Sequence, residues 1–303
     1  MPKIVVATRR SALALAQTRA FVRALIDRNP GLEVEELHVV TTGDRIQDRP
    51  LHEIGGKGLF VREIEEALLE GRADVAVHSM KDLPAQQPPG LGIVCVPERA
   101  DPRDVLLVRR HLEPSLRALP AGARVGSSSL RRRLAVLRAR PDVAIEPLRG
   151  NVDTRLRKLD EGHYDAILLA AAGLARIGID AATLPPHAPI DPREMLPAVA
   201  QGILAIEARE DDERVRAILR PMEHAESRLR ASAERGVLKA LGADCTVPLA
   251  AHAVVDGDRI DLEAWLSEDS GARHRTLKDT ASASDARAAE QLGLALGARL
   301  RST

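Results

Sequence analysis

Short apolar runs alternate with longer segments of helical period up to about residue 220, and most of the apolar runs close on charged or hydroxyl residues. Residues 4–7 read as a strand. A helix from Ser11 to about Arg28 then sets Leu15, Thr18, Val22 and Leu25 on one face, before Asn29-Pro30-Gly31 ends it. The next strand, 37–42, runs into Gly43-Asp44-Arg45. Ile54-Gly55-Gly56-Lys57-Gly58-Leu59-Phe60 leads to a helix whose inward face is Phe60, Ile64, Ala67 and Leu68; this glycine loop lacks the Lys-Ser/Thr ending of a phosphate-binding loop. Strand 73–77 closes on His78-Ser79-Met80-Lys81-Asp82, and Leu83-Pro84 stops regular structure. Cys95, inside strand 92–96, reads as a small buried hydrophobe.

The charged run 97–104 reads as a crossing into a second unit that repeats the first one's plan. Strand 124–126 is followed by Ser127-Ser128-Ser129, which can cap a helix opening on Leu130-Arg131-Arg132-Arg133 and running to about Arg140. Strand 143–146 precedes Arg149-Gly150-Asn151 and a helix over 153–159, and strand 166–170 precedes Arg176. The run 196–207 reads as a strand returning to the first unit. From about Arg220 a helix to Leu241, three amphipathic strands near 247–255, 260–266 and 274–279, and a terminal helix from Ser284 make a compact α+β unit. The expected fold class is therefore α/β: two lobes like those of periplasmic binding proteins with a cleft between them, plus a small α+β C-terminal domain. The expected division is 1–98 with 200–218, then 99–199, then 219–303, and two hinge crossings would let the lobes move.

Charge sharpens this picture. Lys+Arg and Asp+Glu are equal at 44 each, which argues against a generic polyanion binder, and with few aromatics to stack on bases nucleic acid is not an expected partner. No window has the apolar length of a membrane span, and residues 1–7 contain no signal-peptide core, so a cytoplasmic protein is expected. Two distant cysteines, Cys95 and Cys245, suit a reduced compartment and form no zinc pattern; no metal is expected. Of the basic residues only Lys3, Lys57, Lys81, Lys158, Lys239 and Lys278 are lysines, and 38 are arginines, the side chain that grips carboxylates bidentately. Between residues 124 and 176 eleven basic residues face six acidic ones. Arginines in a helix's first turn oppose the macrodipole, so Arg131 and Arg132 point to an anion; Arg133 fans equally well into solvent. Thr8-Arg9-Arg10-Ser11 repeats the strand, Arg/Ser loop and helix start in the first lobe. Asp82 beside Lys81, at a strand's carboxyl end, can stabilise a developing cation and exchange a proton.

Taken in order, Ala7-Thr8-Arg9-Arg10-Ser11, Gly55-Gly56-Lys57-Gly58-Leu59-Phe60, His78-Ser79-Met80-Lys81-Asp82, Gly126-Ser127-Ser128-Ser129-Leu130-Arg131-Arg132, Arg149-Gly150-Asn151 and Cys245-Thr246-Val247-Pro248 resemble the porphobilinogen deaminase (hydroxymethylbilane synthase) family over nearly the whole chain. The resemblance implies three domains and an enzyme that condenses four porphobilinogen molecules head to tail into hydroxymethylbilane with release of ammonia, in tetrapyrrole biosynthesis. It implies a dipyrromethane cofactor in thioether linkage to Cys245, and Asp82 as the catalytic carboxylate. It further assigns Lys81, Asp44, Ser127, Ser128, Ser129, Arg131, Arg132, Arg149 and Gly150 to the cofactor, and Arg9, Ser11, Gln17, Phe60, Arg149, Asn151, Arg155 and Arg176 to the substrate, whose rings each bear an acetate and a propionate. The family leans to monomers.

One position departs from the family: Ala243-Asp244 stands before Cys245 where Gly-Gly is common, which adds a side chain and a negative charge beside the cysteine. Two other readings use the same residues. A two-lobed receptor for a small anion accounts for the Arg/Ser loops but not for Cys245 or the third domain. A thiol enzyme pairing Cys245 with His224 or His252 has no local pattern behind it.

Overall fold

Parallel strands need crossovers, and the helical segments between the apolar runs supply them. A computed structural model describes residues 2–45, 61–180, 182–242, 247–267, 271 and 273–302. In chain order the strands are β1 (Lys3–Arg9), β2 (Glu33–Val39), β3 (Val75–Ser79), β4 (Leu91–Cys95), β5 (Asp104–Val108), β6 (Arg124–Gly126), β7 (Ala144–Glu146), β8 (Ala166–Ala170), β9 (His187–Pro189), β10 (Leu204–Arg209), β11 (Leu249–Asp256), β12 (Arg259–Ser267) and β13 (His274–Ser282). The helices are α1 (Ala12–Arg28), α2 (Thr42–Arg45), α3 (Arg62–Leu69), α4 (Leu130–Ala139), α5 (Val152–Asp160), α6 (Ala171–Ile177), α7 (Glu213–Leu219), α8 (Ala225–Leu241) and α9 (Ala286–Ser302).

Two five-stranded sheets share one plan. The first has the order β2-β1-β3-β10-β4 and the second β7-β6-β8-β5-β9. In each, the first three strands are parallel, and one strand, β10 or β5, runs antiparallel to both its neighbours. That odd strand is the one the chain enters after crossing from the other sheet, once between β4 and β5 and again between β9 and β10. Duplicate α/β lobes joined by two crossings are the fold class expected, with the parallel strands' carboxyl ends available as a ligand rim. The third sheet, β11-β12-β13, is an antiparallel meander covered by α8 and α9. These two helices meet through Gly236, Gly293 and Gly297: a Cβ on Gly236 would lie 2.5 Å from the Glu290 carbonyl oxygen. Among the described residues, no helix is long and apolar enough to cross a membrane.

Several boundaries differ from the patterning. β2 covers Glu33–Val39 rather than 37–42, because an edge strand half open to water tolerates Glu33, Glu35 and Glu36 and so hides its apolar alternation. β10 begins only at Leu204; the preceding residues 197–203 turn, with Ala200 at φ 57° and Gly202 at φ 89°. A Cβ on Gly202 would lie 2.5 Å from the Ala100 carbonyl oxygen, so the two crossings touch where only glycine fits. Helix α1 buries Ala14, Gln17, Thr18, Phe21 and Leu25, while Leu15 and Val22 are half-buried. Its inward stripe is rotated because Gln17 faces polar partners described below. Strands β5 and β9 and helices α6 and α7 come in addition to the expected elements. Ile64, Ala67 and Leu68 of α3 are buried as expected.

Beneath β3 the core is not wholly apolar. His78 and Glu207 lie on the same face of adjacent strands, with Nε2 and Oε2 3.1 Å apart, and both are buried. Burial, reinforced by the Glu207 charge, pushes the Glu65 carboxyl on α3 up to about 7, against the opposing pull of His78. A carboxyl raised in the folded state is penalised once ionised, so its contribution falls as pH rises from its unfolded value of about 4.5 through 7. Glu65→Gln is therefore expected to raise the thermal midpoint at pH 8 and to change it less at pH 5; an equal shift at both pH values would contradict this electrostatic origin.

Candidate active site

β3 carries its apolar residues into the core and delivers Ser79 to the rim, where a single 3-10 turn, Met80–Asp82, ends it. Met80 and Leu83 are buried in the same core as Val237 and Leu238 of α8, so the turn projects Lys81 and Asp82 from two apolar anchors. Asp82 is exposed; Lys81 is half-buried. Burial draws the Lys81 ammonium down to about 8; Asp82 and Asp104 oppose that fall, and Arg132 and Arg131 add to it. These charges from both lobes thus converge on one place.

Across the rim, β6 ends in the three serines. Ser129 caps α4, its Oγ accepting from the Arg132 amide at 3.5 Å, and Ser127 Oγ accepts from the Ser129 amide at 3.3 Å. Ser128 Oγ donates to the Leu148 carbonyl at 2.8 Å, tying this loop to the one after β7. In the first turn of α4, Arg131 and Arg132 turn inward and are buried while Arg133 is exposed. Both buried guanidiniums share one carboxylate, Asp104 on β5: Arg131 Nη2 lies 2.8 Å from Oδ2, and Arg132 Nη2 lies 2.8 Å from Oδ1. Arg131 also donates to the Leu196 carbonyl at 2.7 Å, and Arg132 to that of Leu168 at 3.0 Å. Burial alone would raise the Asp104 carboxyl, but the two guanidiniums overcome it and hold the group at about 2. The anion anticipated at the start of α4 is thus partly this internal carboxylate.

Gln201, on the return crossing, joins the two halves of the cluster. Its Oε1 accepts from Lys81 Nζ at 3.4 Å, and its Nε2 donates to Asp104 Oδ1 at 3.1 Å and to the Pro102 carbonyl at 2.8 Å. A second bridge uses Gln17 of α1, whose Oε1 accepts from Ser79 Oγ at 2.9 Å and from Arg176 Nη1 at 3.0 Å. Arg176 Nη2 donates to the Gly202 carbonyl at 2.6 Å, and burial draws its guanidinium down to about 10. Arg155 Nε donates to the Gly150 carbonyl at 2.8 Å. Its guanidinium is lowered by burial and then by the neighbouring charges of Arg132 and Arg149, which places these three arginines in one field. Gly150 has φ 111°, and a Cβ there would lie 2.7 Å from Thr154 Cγ2.

Not every expected site residue meets this cluster. Ser11 caps α1, accepting from the Ala14 amide at 3.3 Å, and Asn151 caps α5, accepting from the Thr154 amide at 2.9 Å. Arg9 stands at the end of β1 on the same rim as Ser79, since the two strands are parallel. Phe60, Cys245, Ala243 and Asp244 lie outside the described residues, as does the side chain of Asp44. Cys95 is buried, and its thiol is pushed up to about 12 by burial and then by Glu223, so it is an inert packing residue. His224 caps α8, with Nδ1 accepting from the Ser227 amide at 3.2 Å. Asp104 and Gln201 are the additions. Asp104 ends a run of charges that reads as exposed linker, and only the pairing of β5 with β8 draws it inside.

The arrangement is a cationic cluster beside one exposed carboxylate. Arg131 and Arg132 face Asp104, Lys81 lies in the field of Asp104 and Asp82, Arg149 and Arg155 adjoin Arg132, and the depressed basicities of Arg131, Arg155 and Lys81 mark a cluster that a further anion would relieve.

Comparison with known proteins gives the same chemistry a name. Residues 4–217 match the family model described as porphobilinogen deaminase, dipyromethane cofactor binding domain, and residues 228–302 match porphobilinogen deaminase, C-terminal domain. The porphobilinogen deaminase of Sorangium cellulosum is 51% identical over 300 residues, covering 99% of this chain and 98% of that one. That of Nitratidesulfovibrio vulgaris is 50% identical over 303 residues, covering 99% and 94%. Among solved structures, the periplasmic aliphatic sulphonate binding protein SsuA from Escherichia coli is 15% identical over 80% of this chain and 74% of that one, with a TM-score of 0.41. By the match of both models and of full-length relatives at half identity, this chain belongs to the porphobilinogen deaminase family.

Proposed function

We propose that this chain is a hydroxymethylbilane synthase that joins four porphobilinogen molecules head to tail, releasing ammonia at each addition, with Asp82 as the catalytic carboxylate. The observation that carries the residue assignments is the gathering of Arg131, Arg132 and Asp104 about Lys81, the neighbour of that exposed carboxylate, in a chain whose family model is the cofactor-binding domain of these enzymes. The donor set suits a dipyrromethane, whose rings carry acetate and propionate groups: guanidiniums bind carboxylates bidentately, and Arg131 Nε is buried without a hydrogen-bond partner. Arg131, Arg132, Arg149, Lys81, Ser127, Ser128 and Ser129, with Gly150 and Asp44, would hold that group, attached through Cys245. When bound, it supplies the pyrrole carbon at which the product chain is extended.

The chain's own residues do the rest. Arg9, Ser11, Gln17, Phe60, Asn151, Arg155 and Arg176 are assigned to the incoming porphobilinogen, with the arginines pairing its carboxylates. As the C–N bond breaks, its electron pair leaves with ammonia, and Asp82 faces the positive charge left on the aminomethyl carbon. Once a free pyrrole ring carbon has attacked the aminomethyl carbon and the new C–C bond has formed, that ring carbon gives up its proton, and the Asp82 carboxylate takes it.

The domain division stated from the sequence belongs to this reading, supported by β10 joining the first sheet and by the separate third sheet. So do a monomer and a cytoplasmic setting; among the described residues the exposed large apolar side chains, Ile26, Leu69 and Val254, stand on three different elements and form no docking stripe. The test is intact mass with peptide mapping after incubation with porphobilinogen. A two-pyrrole increment on Cys245, absent in Cys245→Ser, and ammonia release that this variant loses are expected. A chain that stays unmodified and releases no ammonia would instead favour a small-anion receptor.

A further inference from the structure

Asp82 owes its place to backbone rather than to its side chain, because no hydrogen bond to its carboxylate occurs among the described residues. Upstream, the Met80 amide donates to the Ile203 carbonyl at 3.0 Å, and the Leu83 amide closes the turn on the Met80 carbonyl at 3.1 Å. Downstream lies Pro84, which has no N–H with which to fix the chain. The bonds there come from another domain. Arg235 on α8 donates from Nη2 to the Pro84 carbonyl at 2.8 Å and to the Ala85 carbonyl at 3.1 Å, with Gln87 Oε1 at 3.4 Å. Gln87 Nε2 itself donates to the Pro84 carbonyl at 3.3 Å.

This guanidinium is an expensive group to keep there. It is buried, its Nη1 has no hydrogen-bond partner, and burial lowers its basicity, opposed by the charges of Glu207 and then Glu290. An apolar side chain of similar volume would pack more cheaply at such a site. What an apolar residue would not do is hold two successive carbonyls just past the catalytic turn. Helix α8 also carries Glu234, the residue before Arg235. Its Oε2 accepts from the Ala200 amide at 2.6 Å, and its Oε1 pairs with Arg99 Nη1 at 2.7 Å, so adjacent residues of one helix fix both crossings and the turn. The same helix leads to Cys245.

We propose that Arg235 is a positioning residue for Asp82: by clamping the Pro84 and Ala85 carbonyls it fixes the exit of the Met80–Asp82 turn, and so the direction of the carboxylate relative to the helix that leads to the attachment cysteine. The inference rests on Asp82 being the catalytic carboxylate. Small displacements of a reacting group are costly in rate, whereas binding of carboxylates by arginines on the other lobe is unaffected.

The test compares native protein with Arg235→Lys, Arg235→Gln, Asp82→Glu and the Arg235→Lys/Asp82→Glu double variant, with rates normalised to folded chain carrying the two-pyrrole increment. Arg235→Lys keeps the charge but not the planar fork, and is expected to lower kcat about tenfold, with the porphobilinogen KM within about twofold. Arg235→Gln should lose more. If the turn is what Arg235 controls, the lysine change costs clearly less once Asp82→Glu has already displaced the carboxylate, giving non-additive losses. A kcat for folded Arg235→Lys within about threefold of native, or a loss that is the same in both Asp82 backgrounds, overturns the proposal. Should Arg235→Gln fail to fold, Arg235→Lys decides alone. Native protein that releases no ammonia would overturn the functional reading itself, a result distinct from native turnover that Arg235→Lys leaves unchanged.

Discussion

Asp82→Asn is expected to lower turnover by about 10²–10⁴-fold, the range lost when a positioned acid–base group is removed, while leaving the fold and the two-pyrrole increment on Cys245 intact. The separation of these two effects follows from where the residue stands. Its side chain is exposed, while the turn beneath it is held by Met80, Leu83 and backbone bonds that an amide does not disturb. Asparagine fills the same volume but neither faces a developing cation with full charge nor accepts a ring proton. The change also removes the charge that favours the protonated form of Lys81, so the lysine should titrate below its value of about 8 in cofactor-free protein. Rapid-quench measurement of ammonia and product in Asp82→Asn, beside its intact mass, checks both halves. Activity within about tenfold of native would remove Asp82 from the chemistry.

Asp104→Asn should act the other way, on stability first. Asp104 is fully buried between Arg131 and Arg132, and also accepts from Gln201. Removing the charge leaves two buried guanidiniums without a counter-ion, a situation that typically costs about 3–5 kcal/mol. In cofactor-free protein the urea midpoint is expected to fall accordingly. In loaded protein the loss should be smaller, because carboxylates of the bound group can take over part of the neutralisation. The pH dependence has a definite sign. A carboxyl held at about 2 in the folded chain, against 3.8 as the ordinary value, contributes stability above the ordinary value and loses it as pH falls through the folded one. The variant should therefore show a flatter stability profile between about pH 4 and 2 than the native chain. Equal urea midpoints for variant and native protein near neutral pH would mean that the two arginines are neutralised by something other than Asp104.

These two residues show what a sequence can and cannot convey. Asp82 is legible because its signal is local: an apolar strand, a proline stop, and a lysine and a carboxylate between them. Asp104 follows Glu98, Arg99, Asp101 and Arg103, in a run that by its own composition belongs in water. Its burial arises from pairing with β8 and from two arginines in the first turn of a helix further along the chain. Gln201 is hidden in the same way, since nothing local marks it as the link between Lys81 and Asp104. The misplaced start of β10 has a related cause. The apolar run 196–207 looks continuous, but its first part is buried in a turn where the two crossings touch at Gly202 and Ala100.

By itself the sequence determined the repeated strand and helix plan of the two lobes, the separate α+β unit, the caps at Ser11 and Ser129, and the motifs that mark the family. All of these depend on hydrophobic period, capping chemistry or short runs, which act between residues close in the chain. The tertiary structure alone decided which strand runs antiparallel in each sheet, that Arg131 and Arg132 turn inward to share Asp104, and that Arg235 reaches the exit of the Met80–Asp82 turn. Those outcomes depend on charges and carbonyls brought together from distant segments, and a buried charge takes the partner that the packed fold sets beside it.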